Sequence, residues 1–263
     1  MTKIINRALS VGYAGKSKVG KSYLSAKFCN LDGKPSGIVM DFSRIFMIGG
    51  FDGTTPKYLT SEKMPVMQGE NEIIEVGEAY PACEKVGLDM ENQYKLILKW
   101  QDFTDAIEFA RYYQDSIKRQ KLWLVLDDMV GLRWHKVINI SIAAKHKSVS
   151  KDDWKVASSE LKLLISQLSK EFNLVLVNQM GAAYENGDST GISEPKWIPG
   201  GAEYLYDILF ELGIDESTNP RKQFAKIMAS REIWQCDESF DPLVFKPTPE
   251  TILQRSGITP NRW

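Results

Sequence analysis

Ser10-Val11-Gly12-Tyr13-Ala14-Gly15-Lys16-Ser17-Lys18-Val19-Gly20-Lys21-Ser22-Tyr23-Leu24 contains Gly-x-x-x-x-Gly-Lys-Ser from Gly15 to Ser22. That spacing describes a loop whose successive backbone N–H groups point inward around a polyphosphate, with glycine where a Cβ would intrude. In such a loop Gly15, Lys16, Ser17, Lys18, Val19, Gly20, Lys21, Ser22 and Tyr23 surround the phosphates. Lys21 reaches the β- and γ-phosphates, and the Ser22 hydroxyl ligates Mg²⁺. The flanks have the required form. Ala8 to Tyr13 reads as a short buried strand, and Ser22 to Asn30 as a helix whose N-terminus adds partial positive charge.

The chain has 263 residues, 25% charged and 43% hydrophobic, with a net charge of −1. This is the composition of a globular protein, expected as a single α/β domain over residues 1–263 with an insertion at about 48–93. No run approaches the ~18 apolar residues of a membrane span, and the N-terminus lacks a signal-peptide core. No membrane association and a cytoplasmic location are therefore expected. Cys29, Cys83 and Cys236 are odd in number and far apart, which suits reduced thiols. The charge excludes a globally basic nucleic-acid binder, so any DNA site is local.

Beyond the loop, Gly37 to Asp41 is an apolar strand ending in a carboxylate. Residues 48–93 carry Gly, Pro and Glu without helical period; a small β-meander around Glu72 to Val76 is the most that can be read there. Tyr94 to Trp100 reads as a strand and Asp102 as a helix cap. Phe103, Ala106, Ile107, Ala110, Tyr113 and Ile117 then repeat at three and four residues. Leu122 to Asp128 is an apolar run closed by two carboxylates. After a phosphate loop it is the expected second nucleotide element, with Asp127 holding Mg²⁺; alone it would be a buried strand with an acidic end.

Residues 131–155 interleave Arg133, Lys136, Lys145, Lys147, Lys151 and Lys155 with Trp134, Trp154 and two histidines. A charge run is ordinarily a solvated face, but this mixture also suits phosphate contact with base stacking. A helix over Ala157 to Phe172, a strand Leu174 to Gln179, and a polar loop Met180 to Pro199 with Tyr184 and Trp197 follow. Ile208 to Leu212 and Phe224 to Met228 read as strands around a turn at Asn219-Pro220. An irregular cap with one turn near Thr251 to Gln254 ends the chain. Alternating strands and helices predict a mostly parallel sheet covered on both faces, with its ligand at the carboxyl ends of the strands.

In this order the elements resemble the RecA/RadA superfamily of P-loop ATPases, especially compact core-only members encoded by phages and archaeal viruses for recombination or annealing. The likeness covers about residues 8–231 apart from the insertion. It implies a RecA-like sheet with an antiparallel C-terminal extension, ATP and Mg²⁺ as ligands, and action on single-stranded DNA. Leu176-Val177-Asn178-Gln179-Met180 resembles the family's strand between two DNA-binding loops, which become residues 133–151 and 181–199; Pro199-Gly200-Gly201-Ala202 is similar to the glycine pair closing the second. DNA contacts then fall to Arg133, Lys136, Lys145, Lys147, Tyr184 and Trp197.

The family's water-orienting glutamate corresponds to Ser43, so Asp41 or Asp128 substitutes for it or turnover is weak. Ala229-Ser230-Arg231 resembles a Lys-x-Arg segment without its lysine, which makes Arg231 a candidate γ-phosphate contact in a neighbouring subunit of a ring or short helical homo-oligomer. The candidate catalytic set is thus Lys21, Asp41, Asp128, Gln179 and Arg231. The family's filament-forming N-terminal segment has no counterpart, so long filaments are not implied. Three other readings stay open: a ring-shaped replicative helicase motor, a ParA/MinD-like partition ATPase suggested by Lys16, and a DNA-annealing module that binds ATP without turnover.

Overall fold

The structure is a computed structural model that describes residues 8–42, 45–48, 57–60, 81–118, 121–146, 149–185, 188–198, 205–230 and 242–258. In chain order it contains β1 (Ser10–Gly15), α1 (Lys21–Phe28), β2 (Gly37–Asp41), β3 (Ile45–Ile48), β4 (Lys57–Thr60), α2 (Pro81–Val86), β5 (Tyr94–Leu96) and α3 (Trp100–Ser116). There follow β6 (Trp123–Asp127), α4 (Met129–Ala143), α5 (Lys151–Glu171), β7 (Asn173–Glu185), β8 (Asp188–Lys196), β9 (Ile208–Asp215), β10 (Lys222–Ser230), β11 (Leu243–Phe245) and α6 (Pro249–Arg255).

The main sheet runs β5-β2-β6-β7-β1-β9-β10-β11, with β8 paired to β7 beside this path. From β5 to β9 every pairing is parallel, and β10 and β11 extend the sheet antiparallel. This is the expected α/β architecture. Strand β7 lies between β1 and β6, so the phosphate-loop strand and the strand ending in Asp127 are separated by the one that carries Asn178 and Gln179.

The sequence alternation decides the two faces. Val11, Tyr13, Val39, Trp123, Val125, Val175 and Val177 join one apolar layer with Leu24 and Phe28 of α1 and Ile252 and Leu253 of α6. Ile38, Met40, Leu124, Leu126, Leu174 and Leu176 join the other, with residues of α3, α4 and α5. Because side chains along a strand alternate, a slip of one residue would exchange the layers; at about 1.5–3 kcal/mol per large side chain, burial holds the register.

Several boundaries differ from the expected ones for local reasons. Helix α3 begins at Trp100, cutting the strand before it to Tyr94–Leu96. Asp102 sits inside its first turn, where the carboxylate accepts the N–H groups of Leu98 and Lys99, both at 2.9 Å. Helix α5 starts at Lys151, earlier than the apolar period indicates. Ser150 caps it by accepting Asp153 N–H at 3.1 Å, and the Asp153 carboxylate returns to Ser150 N–H at 2.7 Å. The polar stretch after Gln179 is not a loop: β7 continues to Glu185 and pairs antiparallel with β8 as a hairpin. Within 48–93 the described elements are β4, which pairs antiparallel with β3, then α2 and the turn leading into the parallel edge strand β5; Glu72 to Val76 lies outside the described residues. The irregular C-terminal cap resolves into β11 and a helix capped by Thr248 with Pro249 in its first turn.

Candidate functional site

The phosphate loop joins the end of β1 to α1 across Lys16–Gly20. Its turn requires a left-handed backbone at Lys18 (φ 65°) and Gly20 (φ 88°), a conformation that glycine reaches without strain. Gly15 is needed for a different reason: a Cβ there would lie 2.7 Å from the Leu212 carbonyl oxygen of β9. Lys16, Ser17 and Lys18 are exposed, Val19 is buried, and Ser22 is half-buried in the first helical turn. Tyr23 points outward, with Lys27 Nζ 4.7 Å from its ring centre.

Lys21 does not extend into solvent. Its Nζ donates to the carbonyl oxygens of Gly15 at 2.8 Å and Lys16 at 2.9 Å, which seats the ammonium within the loop. Burial lowers its pKa below the ordinary lysine value, while the carboxylates of Asp127 and Asp128 oppose that shift. Tyr13, stacked on Phe210 at 4.8 Å in the sheet, donates its hydroxyl to the Lys21 carbonyl at 2.8 Å and shares a hydrogen bond with Ser25. Burial, reinforced by Asp127, pushes that phenol well above its ordinary pKa, so it stays protonated as a donor. The first turn of α1 is thereby fastened to the sheet beneath it.

Three carboxylates meet at the carboxyl ends of the neighbouring strands β2 and β6. Asp41 and Asp127 are register partners, and both are buried. Asp41 accepts the Tyr94 hydroxyl at 2.9 Å. Asp128, also buried, is the N-cap of α4: one oxygen accepts Gly131 N–H at 2.7 Å, and the other accepts the side-chain amide of Gln179. Desolvation raises the Asp128 pKa above its ordinary value; its two hydrogen bonds pull against this, Asp41 adds to it, and Lys21 offsets part. Gln179 therefore links the end of β7 to the carboxylate after β6. Asn178 faces the other way, donating to Leu176 O at 3.1 Å and accepting Ile198 N–H at 3.0 Å, so it closes the base of the β7–β8 hairpin.

Beside the loop a cleft of about 740 Å³ opens between Lys16–Val19 and the β9–β10–β11 side of the sheet. Ile214, Phe224, Leu243 and Phe245 make its apolar wall, with Arg221 and Glu211 supplying charge. No motif marks these residues in the sequence, because they come from three strands brought together only by antiparallel pairing.

Among the described residues, the expected DNA contacts are spread over different elements. Residues 133–143 belong to α4, not to a loop, and only residues 144–150 separate it from α5. Arg133 lies over the Trp154 ring at 4.7 Å and donates to Ser158 at 3.1 Å. Lys136 pairs with Glu160 at 2.5 Å and covers the Trp100 ring. Both cations thus fasten neighbouring helices. Lys145 is exposed at the end of α4 with φ 56°. Trp197 is half-buried against the core, its ring 5.9 Å from Tyr206, while Tyr184 is a residue of β7 near the hairpin turn. Lys147, Arg231, Ser43 and Gly200-Gly201 lie outside the described residues.

Neither a protein-family model nor a curated protein matches the sequence. Among solved structures, a KaiC-like protein from the hyperthermophilic archaeon Pyrococcus horikoshii OT3 is similar over 92% of this chain and 90% of its own, at 13% identity and a TM-score of 0.46. What the site can do is read from its own atoms. Among the described residues no group of three His, Cys, Asp or Glu side chains is arranged to hold a metal ion, and no helix is long and apolar enough to cross a membrane. Ser22 and Asp127 do offer a hydroxyl and a carboxylate, the oxygen donors that suit a magnesium ion taking most of its ligands from phosphates and water. Cys29 and Cys83 are buried, and burial followed by the neighbouring Cys83 raises the Cys29 pKa.

Proposed function

We propose that this chain binds ATP with Mg²⁺ through the Gly15–Ser22 loop and hydrolyses it slowly. The observation that carries the reading is the seat of Lys21, whose ammonium is held by two loop carbonyls and drawn towards the acidic end of β6. Phosphate oxygens entering the loop would replace those carbonyls as charged acceptors and form stronger hydrogen bonds. The backbone N–H groups opening α1 face the same anion. The cleft beside the loop suits the base and sugar, with a ring lying against Phe224 and its neighbours.

Ser22 and Asp127 would hold Mg²⁺, which when bound offsets the charge of the β- and γ-phosphates. Of the two candidate carboxylates, Asp41, which also accepts the Tyr94 hydroxyl, would orient the water. Asp128 already has one oxygen on Gly131 N–H and the other on Gln179, and its raised pKa makes it a reluctant anion. Gln179 would then report the state of the phosphate end to the hairpin that begins beside it. Single-stranded DNA is the proposed partner, with Lys145 and the β7–β8 hairpin as its contacts.

Titration calorimetry with ATP and Mg²⁺ tests the central claim. Wild type should bind, and folded Lys21→Ala should lose affinity at least about tenfold, as removal of a charge-assisted bond requires. Equal affinity of the two proteins refutes the assignment. Steady-state turnover with and without a single-stranded oligonucleotide separates a DNA-stimulated ATPase from a module that binds ATP without hydrolysing it.

A further inference from the structure

We infer that Gln223 is a positioning residue of the phosphate loop: its side-chain amide donates to the Val19 carbonyl and holds the Val19-Gly20 turn in the shape that receives phosphate. The inference rests on the proposed nucleotide site and names a part of it that no sequence motif contains. Gln223 lies 204 residues from Val19, in β10, and its Nε2 is 2.5 Å from Val19 O. The contact is close: a Cβ on Gly20, whose φ of 88° already favours glycine, would stand 2.6 Å from Gln223 Nε2 and push this amide aside.

The support beneath this hydrogen bond is rigid. The Gln223 backbone is paired on both sides: with Ile214 in β9, and through its carbonyl with Lys246 N–H at 2.9 Å just after β11. Its neighbour Phe224 lines the cleft beside the loop. A carbonyl pinned outward at Val19 leaves the following peptide N–H groups turned the other way, towards the anion. The wall of the cleft and the floor of the phosphate loop are therefore joined by one hydrogen bond, and removal of its donor should loosen the loop without removing a phosphate ligand.

Two near-isosteric substitutions separate a hydrogen-bonding role from a space-filling one. Gln223→Met keeps the length but has no donor. Gln223→Glu keeps the shape and presents a carboxylate to a carbonyl oxygen, which favours its protonated form and raises its pKa; once protonated it can donate again. ATP·Mg affinity is measured by calorimetry for wild type and both variants at about pH 8 and about pH 5.5, the lower value favouring the protonated form. A thermal melt without nucleotide accompanies each measurement. Gln223→Met should weaken binding about threefold to tenfold at both pH values, the range for one missing hydrogen bond. Gln223→Glu should be the weakest binder at the higher pH and should bind more tightly than Gln223→Met at the lower. If Gln223→Glu matches wild type at the higher pH, or follows Gln223→Met at both, the hydrogen bond does not position the loop. If one variant fails to melt cooperatively, the comparison of the other with wild type decides. Failure of wild type to bind ATP would instead refute the nucleotide site itself.

Discussion

Asp128 does two jobs that a single substitution pair can tell apart from catalysis. Its carboxylate caps α4 through Gly131 N–H at 2.7 Å and receives the Gln179 amide, at a residue only 6% exposed. Asp128→Ala removes the cap, worth about 1 kcal/mol, and because Gln179 is exposed its freed amide turns to water, so the expected loss is about 0.5–2 kcal/mol. Asp128→Asn keeps the capping oxygen, and a rotated Gln179 amide can meet the new NH₂ group with its own oxygen. Because burial raises the folded-state pKa of Asp128, its proton is held more tightly in the folded protein than in the unfolded chain. The stabilising contribution is fully present below the ordinary carboxylate pKa and is lost as pH rises through the raised one. The Asn variant should therefore be at least as stable as wild type at about pH 8, and its advantage should shrink at about pH 4.5. Urea unfolding at the two pH values measures both effects. An Asn variant as unstable as the Ala variant at the higher pH would refute the capping argument and return Asp128 to the role of a required anion.

His135 has its pKa lowered to about 4 by burial against residues such as Phe42, so its contribution to stability is present above its unfolded pKa and lost as pH falls towards 4. That loss is on the order of 3 kcal/mol, and His135→Leu should flatten it in an acid unfolding series. Asn178→Ala strands Ile198 N–H at the base of the hairpin and should cost about 1–3 kcal/mol, read as faster amide exchange at Ile198 than at core strands. Changing Lys145 and Lys147 together to Ala should lower both the affinity for a single-stranded oligonucleotide and its salt slope, by about 0.7 for each phosphate no longer neutralised. An unchanged slope would mean that these lysines are merely solvated.

How much of this is legible in the sequence follows the range of the interactions involved. The phosphate loop is legible because its glycines and Lys21 act within eight consecutive residues, and its flanking strand and helix carry their own apolar patterns. Helix α4 is hidden because Asp128 and Gly131 form a cap that reads, in one dimension, as the acidic end of a strand followed by a basic run. Arg133 and Lys136 look available for phosphate because Trp154, Ser158 and Glu160, which occupy them, lie on the next helix. The β7–β8 hairpin reads as a loop because Gly181, Ala182 and a polar return strand provide no apolar alternation.

By itself, the amino-acid sequence determined the local chemistry: a strand, a phosphate-shaped turn, a helix start, and carboxylates at the ends of two further apolar runs. Backbone preferences and side-chain spacing act over a few residues, so that information survives without a fold. Only the tertiary structure decided that β7 separates β1 from β6, that Gln179 reaches Asp128, and that Gln223 supports a loop 204 residues away. Those partners are chosen by burying both faces of one sheet, a condition that the whole chain satisfies together and that no single stretch of it specifies.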